Sequence, residues 1–177
     1  KPLVKLTWMS IGGAIGGIGF CLNYDSTMAG IIAFAWILFF TNAYNFMDGL
    51  DGLAGMFALI SAAAFAGIMH LNSADVFELL PPMALAGAAC GFLVWNRPPA
   101  RVFMGDGGSL STGYALACFA MLGAAEHSSW PLPVHCSLIV LAPFIFDVTL
   151  PLIRRVLRGE NVLRAHREHL YQRIQQT

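Results

Sequence analysis

Residues 27–54 read TMAGIIAFAWILFFTNAYNFMDGLDGLA. The first part, 27–45, is apolar and close to the roughly 20 residues that span a bilayer. The second, Asn42–Ala54, sets amides and carboxylates between glycines, where the backbone can approach a ligand closely. Ionisable groups beside a membrane span are costly and are read as functional by default. The stretch therefore predicts a transmembrane helix that ends in a reactive polar turn.

The rest of the chain repeats the pattern. Of its 177 residues, 57% are hydrophobic and 11% charged, and the mean hydropathy is +0.65. Soluble domains carry about 25% charged residues, so this is an integral membrane protein. Six apolar runs, near 6–23, 27–45, 53–71, 78–95, 110–126 and 134–153, predict an all-α polytopic membrane bundle. Gly12, Gly13, Gly16 and Gly17 in the first run form small-xxx-small pairs, read as internal packing ahead of a dimer contact. Cys21, Cys90, Cys118 and Cys136 fall in apolar runs without metal-ligand spacing and read as small core residues.

Threading those spans puts all ten Lys and Arg on one side of the membrane. The opposite turns hold Asp25, Asp75, Glu78 and Glu126. Basic residues mark the cytoplasmic side, so both ends of the chain and the loops after the second, fourth and sixth spans are expected there. The zero formal net charge argues against a nucleic-acid binder. Nothing divides the chain, and 1–177 reads as one domain.

Three polar segments then share one face. In the first, Asn42, Asn45, Asp48 and Asp51 recur every third residue, a spacing that drifts by about 60° per step on an ideal helix. Breaks at Gly49 and Gly52 would let these groups converge. Oxygen ligands of this kind suit a hard cation such as Mg²⁺, which binds through one or two carboxylates plus substrate phosphates. The second segment, Asn96–Leu110, places Asp106 among Gly105, Gly107 and Gly108, a glycine-rich turn whose N–H groups can form an anion nest. Ser109 is expected to cap the helix that follows. Asn96 and Arg101 add an amide and a fixed cation, and Phe103 offers a stacking face for a base. In the tail, His166 and His169 lie three apart among Arg164, Arg167 and Arg173, suited to a diphosphate. The tail arginines also suit an anionic-lipid anchor.

The runs NAYNFMDGLDGLAG (42–55), NRPPARVFMGDGGSLSTG (96–113) and AHREHLYQR (165–173) resemble the polyprenyl-phosphate N-acetylhexosamine-1-phosphate transferase superfamily. The tail is more similar to the O-antigen-initiating branch. The resemblance implies transfer of N-acetylhexosamine-1-phosphate from a UDP-sugar to undecaprenyl phosphate, with release of UMP, in the inner (plasma) membrane of a bacterium. It implies Asp106 as the Mg²⁺ ligand, with Mn²⁺ an alternative metal. Asn45, Asp48 and Asp51 would line the nucleotide and metal pocket, Asp48 and Asp51 sharing the catalytic role with Asp106. Phe103 would stack on uracil, and His166, Arg167 and His169 would face the diphosphate.

That family carries an adjacent aspartate pair in an earlier loop and ten or eleven spans, whereas this chain has no Asp-Asp and begins with Lys1. The expectation is the C-terminal part of a longer transferase, which alone binds nucleotide without turning over. A transporter or lipid-binding scaffold with a cytoplasmic acidic pocket is the alternative. Its acids would sit in mid-span and on two faces. Expected partners are UDP-N-acetylhexosamine, undecaprenyl phosphate and membrane lipid, with a dimer left open.

Overall fold

The computed structural model describes residues 2–123 and 134–159. They form six helices: α1 (Pro2–Tyr24), α2 (Thr27–Met47), α3 (Leu53–Leu71), α4 (Val76–Asn96), α5 (Gly105–Gly123) and α6 (Val134–Leu157). No strand occurs among the described residues. All except α5 are long and apolar enough to cross a membrane. The exception follows from its sequence, because Gly105–Gly123 carries Asp, Ser, Ser and Thr in its first eight residues and becomes mainly apolar only from Tyr114. The protein is an all-α polytopic membrane bundle, as expected.

The core lies among α2, α3, α5 and α6. Tyr44, Phe57 and Phe144 form an aromatic stack, with ring centroids 3.7 Å apart for Phe57–Phe144 and 5.2 Å for Tyr44–Phe144. Phe40, Phe65, Leu116 and Leu141 are fully buried around it. Such aromatic contacts add about 0.5–1.5 kcal/mol per pair beyond the burial of their area. Outward faces are apolar too. Met83, Val94 and Trp95 on α4 are exposed, as a lipid-facing helix requires.

Glycine decides how closely α1 and α5 approach α2. A Cβ on Gly17 would lie 2.8 Å from the Gly30 carbonyl oxygen, and one on Gly13 would lie 3.2 Å from Phe34. The first-run glycines thus pack inside this chain, as read from the sequence. Gly113 matters more for the site. A Cβ there would fall 2.9 Å from the Tyr44 Cβ and 3.1 Å from the Thr41 Cα, so α5 rests directly on the last turns of α2. Trp36 Nε1 donates to the Ala117 carbonyl at 3.1 Å and fixes the register of that pair.

Candidate functional site

The N-terminal ends of α1, α3 and α5 and the C-terminal ends of α2, α4 and α6 gather at one end of the bundle, as antiparallel neighbours must. Asp75 and Glu78 are at the other end, where they form a capping box on α4 and satisfy helix N–H groups.

The turn between α2 and α3 is the first half of the site. α2 stops at Met47, and Gly52 takes φ +79°, the left-handed conformation, directly before α3. Of the two glycines expected to break the helix, Gly52 is the one that requires glycine's freedom. Tyr44 Oη donates to the Ala54 carbonyl at 2.6 Å, clamping the base of the turn. Asp48 and Asp51 are carried between these fixed points.

The segment from Asn96 to Asp106 is the second half. Asn96 is buried, with 4% exposure. Its Oδ1 accepts from Gly52 N–H and its Nδ2 donates to the Val102 carbonyl, both at 2.9 Å. Asp51 Oδ2 accepts from the Ala100 N–H, also at 2.9 Å. Two side chains expected to meet ligand therefore also join the two polar segments. Arg101 is exposed beside them, its backbone N–H held by the Trp95 carbonyl. Phe103 is 74% exposed and lines an apolar groove with Leu85, Phe92 and Met104.

The glycine-rich stretch departs from expectation. Gly105 takes φ +64°, and the chain then enters α5 at once, so Asp106, Gly107 and Gly108 belong to its first turn. Their free N–H groups are those of a helix N-terminus, which replaces the expected nest. Ser109 is likewise inside α5 and not its cap. Its hydroxyl donates to the Gly105 carbonyl at 3.0 Å and accepts from Asn45 Nδ2.

The halves meet at Asn45. Its Nδ2 donates to Asp106 Oδ1 at 3.0 Å, and its Oδ1 accepts from the Lys5 ammonium. Lys5 Nζ also lies 3.4 Å from Asp106 Oδ1. Asn42, one turn back and half-buried, takes no part in this network. The Asn45 hydrogen bond first, and then the Lys5 charge, hold the Asp106 carboxyl below the usual carboxylate range. Burial first, and then the Asp106 charge, push Asp48 above it. Two carboxylates with opposed shifts at one helix junction mark a candidate site with a physical rationale. The carboxylates of Asp48 and Asp106 supply hard oxygens, the ligand type that a hard divalent cation takes, and the Lys5 ammonium rests against Asp106. Among the described residues no group of three or more His, Cys, Asp or Glu is placed to hold a metal ion by itself.

Lys5 is the participant that sequence reading missed. It was legible only as a basic residue at the start of a span. His166, Arg167 and His169 lie outside the described residues.

The sequence profile described as "Glycosyl transferase family 4" matches residues 3–124. The chain is 35% identical over 147 residues to a probable undecaprenyl-phosphate N-acetylglucosaminyl 1-phosphate transferase of Bacillus subtilis (strain 168), covering 83% of this chain and 40% of that protein. It is 40% identical over 119 residues to a phospho-N-acetylmuramoyl-pentapeptide-transferase of Streptococcus pneumoniae (strain CGSP14), covering 67% of this chain and 34% of that protein. It is 31% identical over 188 aligned residues to a decaprenyl-phosphate N-acetylglucosaminephosphotransferase of Mycobacterium leprae (strain TN), covering 97% of this chain and 47% of that protein. The chain spans less than half the length of these curated relatives. It belongs to glycosyl transferase family 4.

Proposed function

We propose that this family 4 member takes part in transferring N-acetylhexosamine-1-phosphate from a UDP-sugar to undecaprenyl phosphate, releasing UMP. The reaction is placed at the cytoplasmic edge of a bacterial inner membrane, at the start of O-antigen or related envelope polysaccharide synthesis. The observation that carries this reading is the junction of Asn45, Asp106 and Lys5, donated by α2, α5 and α1, with the exposed Phe103 three residues before Asp106 in the chain.

An oxygen of the lipid phosphate attacks the β-phosphorus of the nucleotide sugar. The bond from that phosphorus to the bridging oxygen breaks, and UMP leaves with the electron pair. One phosphoanhydride replaces another, so the task of the protein is positioning and charge neutralisation. Mg²⁺ or Mn²⁺ held at Asp106, with Asp48 facing it, would supply neutralisation of the diphosphate. Phe103 presents its face to uracil, while Asn96 and Asp51 hold the segment that carries it. Arg101 adds a fixed positive charge at the rim. His166, Arg167 and His169 are assigned to the diphosphate.

An apolar groove of about 370 Å³, lined by Trp8, Ile15, Thr41, Leu110 and Tyr114 among others, supports the lipid half of the reading. Trp8, Thr41 and Leu110 are each within about one turn of Lys5, Asn45 or Ser109, so the groove runs from the polar junction towards the apolar zone. It suits a polyprenyl tail.

The test is calorimetric binding of UDP-N-acetylglucosamine to the chain in lipid nanodiscs, with Mg²⁺ and with chelator. Binding that needs the metal, prefers uridine to guanosine or adenosine and is lost in Asp106→Asn supports the assignment. Uridine-indifferent binding, or binding that survives Asp106→Asn, overturns it. Radiolabelled sugar-1-phosphate followed into undecaprenyl lipid then tests the transfer itself.

A further inference from the structure

Lys5 and a divalent cation have claims on the same oxygen. Asp106 Oδ1 receives both the Asn45 amide and the Lys5 ammonium, and the second partner of Lys5 is the Asn45 carbonyl oxygen. Lys5 is the more enclosed partner, its side chain 24% exposed against 70% for that of Asp106. A half-buried ammonium needs a counter-charge. Its own helix offers none, since 2–24 contains no Asp or Glu. The acid against it, Asp106, comes from α5.

We propose that Lys5 is an exchangeable counter-ion: it holds Asp106 in the metal-free protein and is displaced from that carboxylate when a divalent cation binds. The inference rests on the metal role proposed for Asp106. Two cations cannot share one carboxylate oxygen without strong repulsion, which falls only as the inverse of their separation. Lys5 also directs Asn45. With the carbonyl of that amide turned to Lys5, its NH₂ points to Asp106 and Ser109, so the site shows a donor where a metal needs an acceptor. Releasing Lys5 frees both a carboxylate oxygen and an amide oxygen. The flexible four-carbon stem of a lysine allows the ammonium to withdraw and remain close enough to face an incoming phosphate. The metal-free site thus keeps its acids neutralised, and the loaded site gains a mobile cation.

Competition predicts effects of opposite sign. Lys5→Met keeps the stem and removes the charge. With the chain in nanodiscs and no nucleotide, Mn²⁺ binding followed by the free-ion electron paramagnetic resonance signal should tighten by about tenfold, the scale of one nearby charge at a half-wet site. Lys5→Arg should stay near the unaltered protein. With UDP-N-acetylglucosamine present, Lys5→Met should instead weaken nucleotide binding. The unaltered chain provides a second measurement. Saturating Mn²⁺ should raise the rate at which an amine reagent acylates Lys5, read by peptide mass spectrometry.

Unchanged or weaker Mn²⁺ binding in Lys5→Met, together with an unmoved acylation rate, overturns the exchange. Asp106→Asn separates this from failure of the metal assignment. If it abolishes Mn²⁺ binding while Lys5→Met has no effect, the metal site stands and the exchange falls. If Mn²⁺ binds equally well to Asp106→Asn, both fall.

Discussion

Asn96 is the residue whose removal best tests how the site is held. It is buried at the end of α4, and its amide bridges the Gly52 N–H and the Val102 carbonyl at 2.9 Å each. Asn96→Ala strands one donor and one acceptor. Leaving such a group without a partner costs about 1–3 kcal/mol when it is fully buried. Gly52 is half-buried and Val102 exposed, so water recovers part of this, and a net local loss of about 1.5–3 kcal/mol is expected. Every 1.4 kcal/mol is a factor of about ten in an opening equilibrium. Amide exchange at residues 50–53 and 100–103, measured by mass spectrometry in nanodiscs, should therefore accelerate roughly 10- to 100-fold. The helices that carry the aromatic core should not change. Asn96→Asp discriminates further, since it keeps the acceptor for Gly52 but loses the donor for Val102, so the second segment should open more than the first. Unaltered exchange at both segments in Asn96→Ala would refute the clamp.

Asp48→Asn should stabilise the metal-free protein while reducing nucleotide binding. The folded Asp48 carboxyl titrates above its ordinary value of 3.8 because of burial and then the Asp106 charge. Between those two values the folded form binds more protons, so stability falls as pH rises through that window. The thermal midpoint of Asp48→Asn should exceed that of the unaltered chain at pH 7, and the two should converge below pH 3.8; a lower midpoint at pH 7 contradicts the shift. Phe103→Leu should weaken uridine nucleotides by about 1–3 kcal/mol, the worth of one stacked base, with no change in thermal midpoint because the ring is exposed; equal calorimetric affinities would remove it from the uracil role. Gly113→Leu should cost about 1–3 kcal/mol or more by overpacking α5 against α2, and Mn²⁺ affinity should fall with stability as Asp106 moves from Asn45. His166→Ala with His169→Ala should lower UDP-sugar affinity and leave membrane insertion intact; loss of insertion instead would make the tail a lipid anchor.

Much of this architecture was legible because membrane helices obey two simple constraints, length and hydropathy. α2, α3 and α4 lie within about a residue or two of the expected runs, because polar or glycine-rich turns bound each of them. The start of α5 was not legible. GDGGS has the composition of a loop, yet Gly105 alone takes the left-handed conformation and the residues after it are helical. Composition reports which conformations are allowed, and contact with α2 decides which is adopted. The gathering of Asn45, Asp48, Asp51, Asn96 and Asp106 at one end followed from counting spans. Their pairing did not, because it depends on register between helices. Lys5 shows the limit most clearly. A lysine at the start of an apolar run reads as a topological charge, and only its approach to residues 40 and 101 positions away reveals a place in the site.

The register itself is set inside the membrane. Gly113 allows α5 to lie against Thr41 and Tyr44, and Trp36 bonds across to Ala117. Asp106 lies two turns before Gly113 on α5, and Asn45 lies one turn beyond Thr41 on α2. A helix rises about 5.4 Å per turn, so a shift of one turn between α2 and α5 would carry Asp106 out of reach of Asn45 and Lys5. The same small-residue contact that packs the span therefore sets the distance between a proposed metal ligand and the amide that orients it. Helices are stiff over such lengths, and contacts far from the polar edge can hold charged groups there to within the tolerance of a hydrogen bond. This explains how a site with few local hydrogen bonds keeps carboxylates close together at the edge of a bilayer. The work of opposing their repulsion falls to Lys5 at the edge and to glycine contacts in the apolar interior.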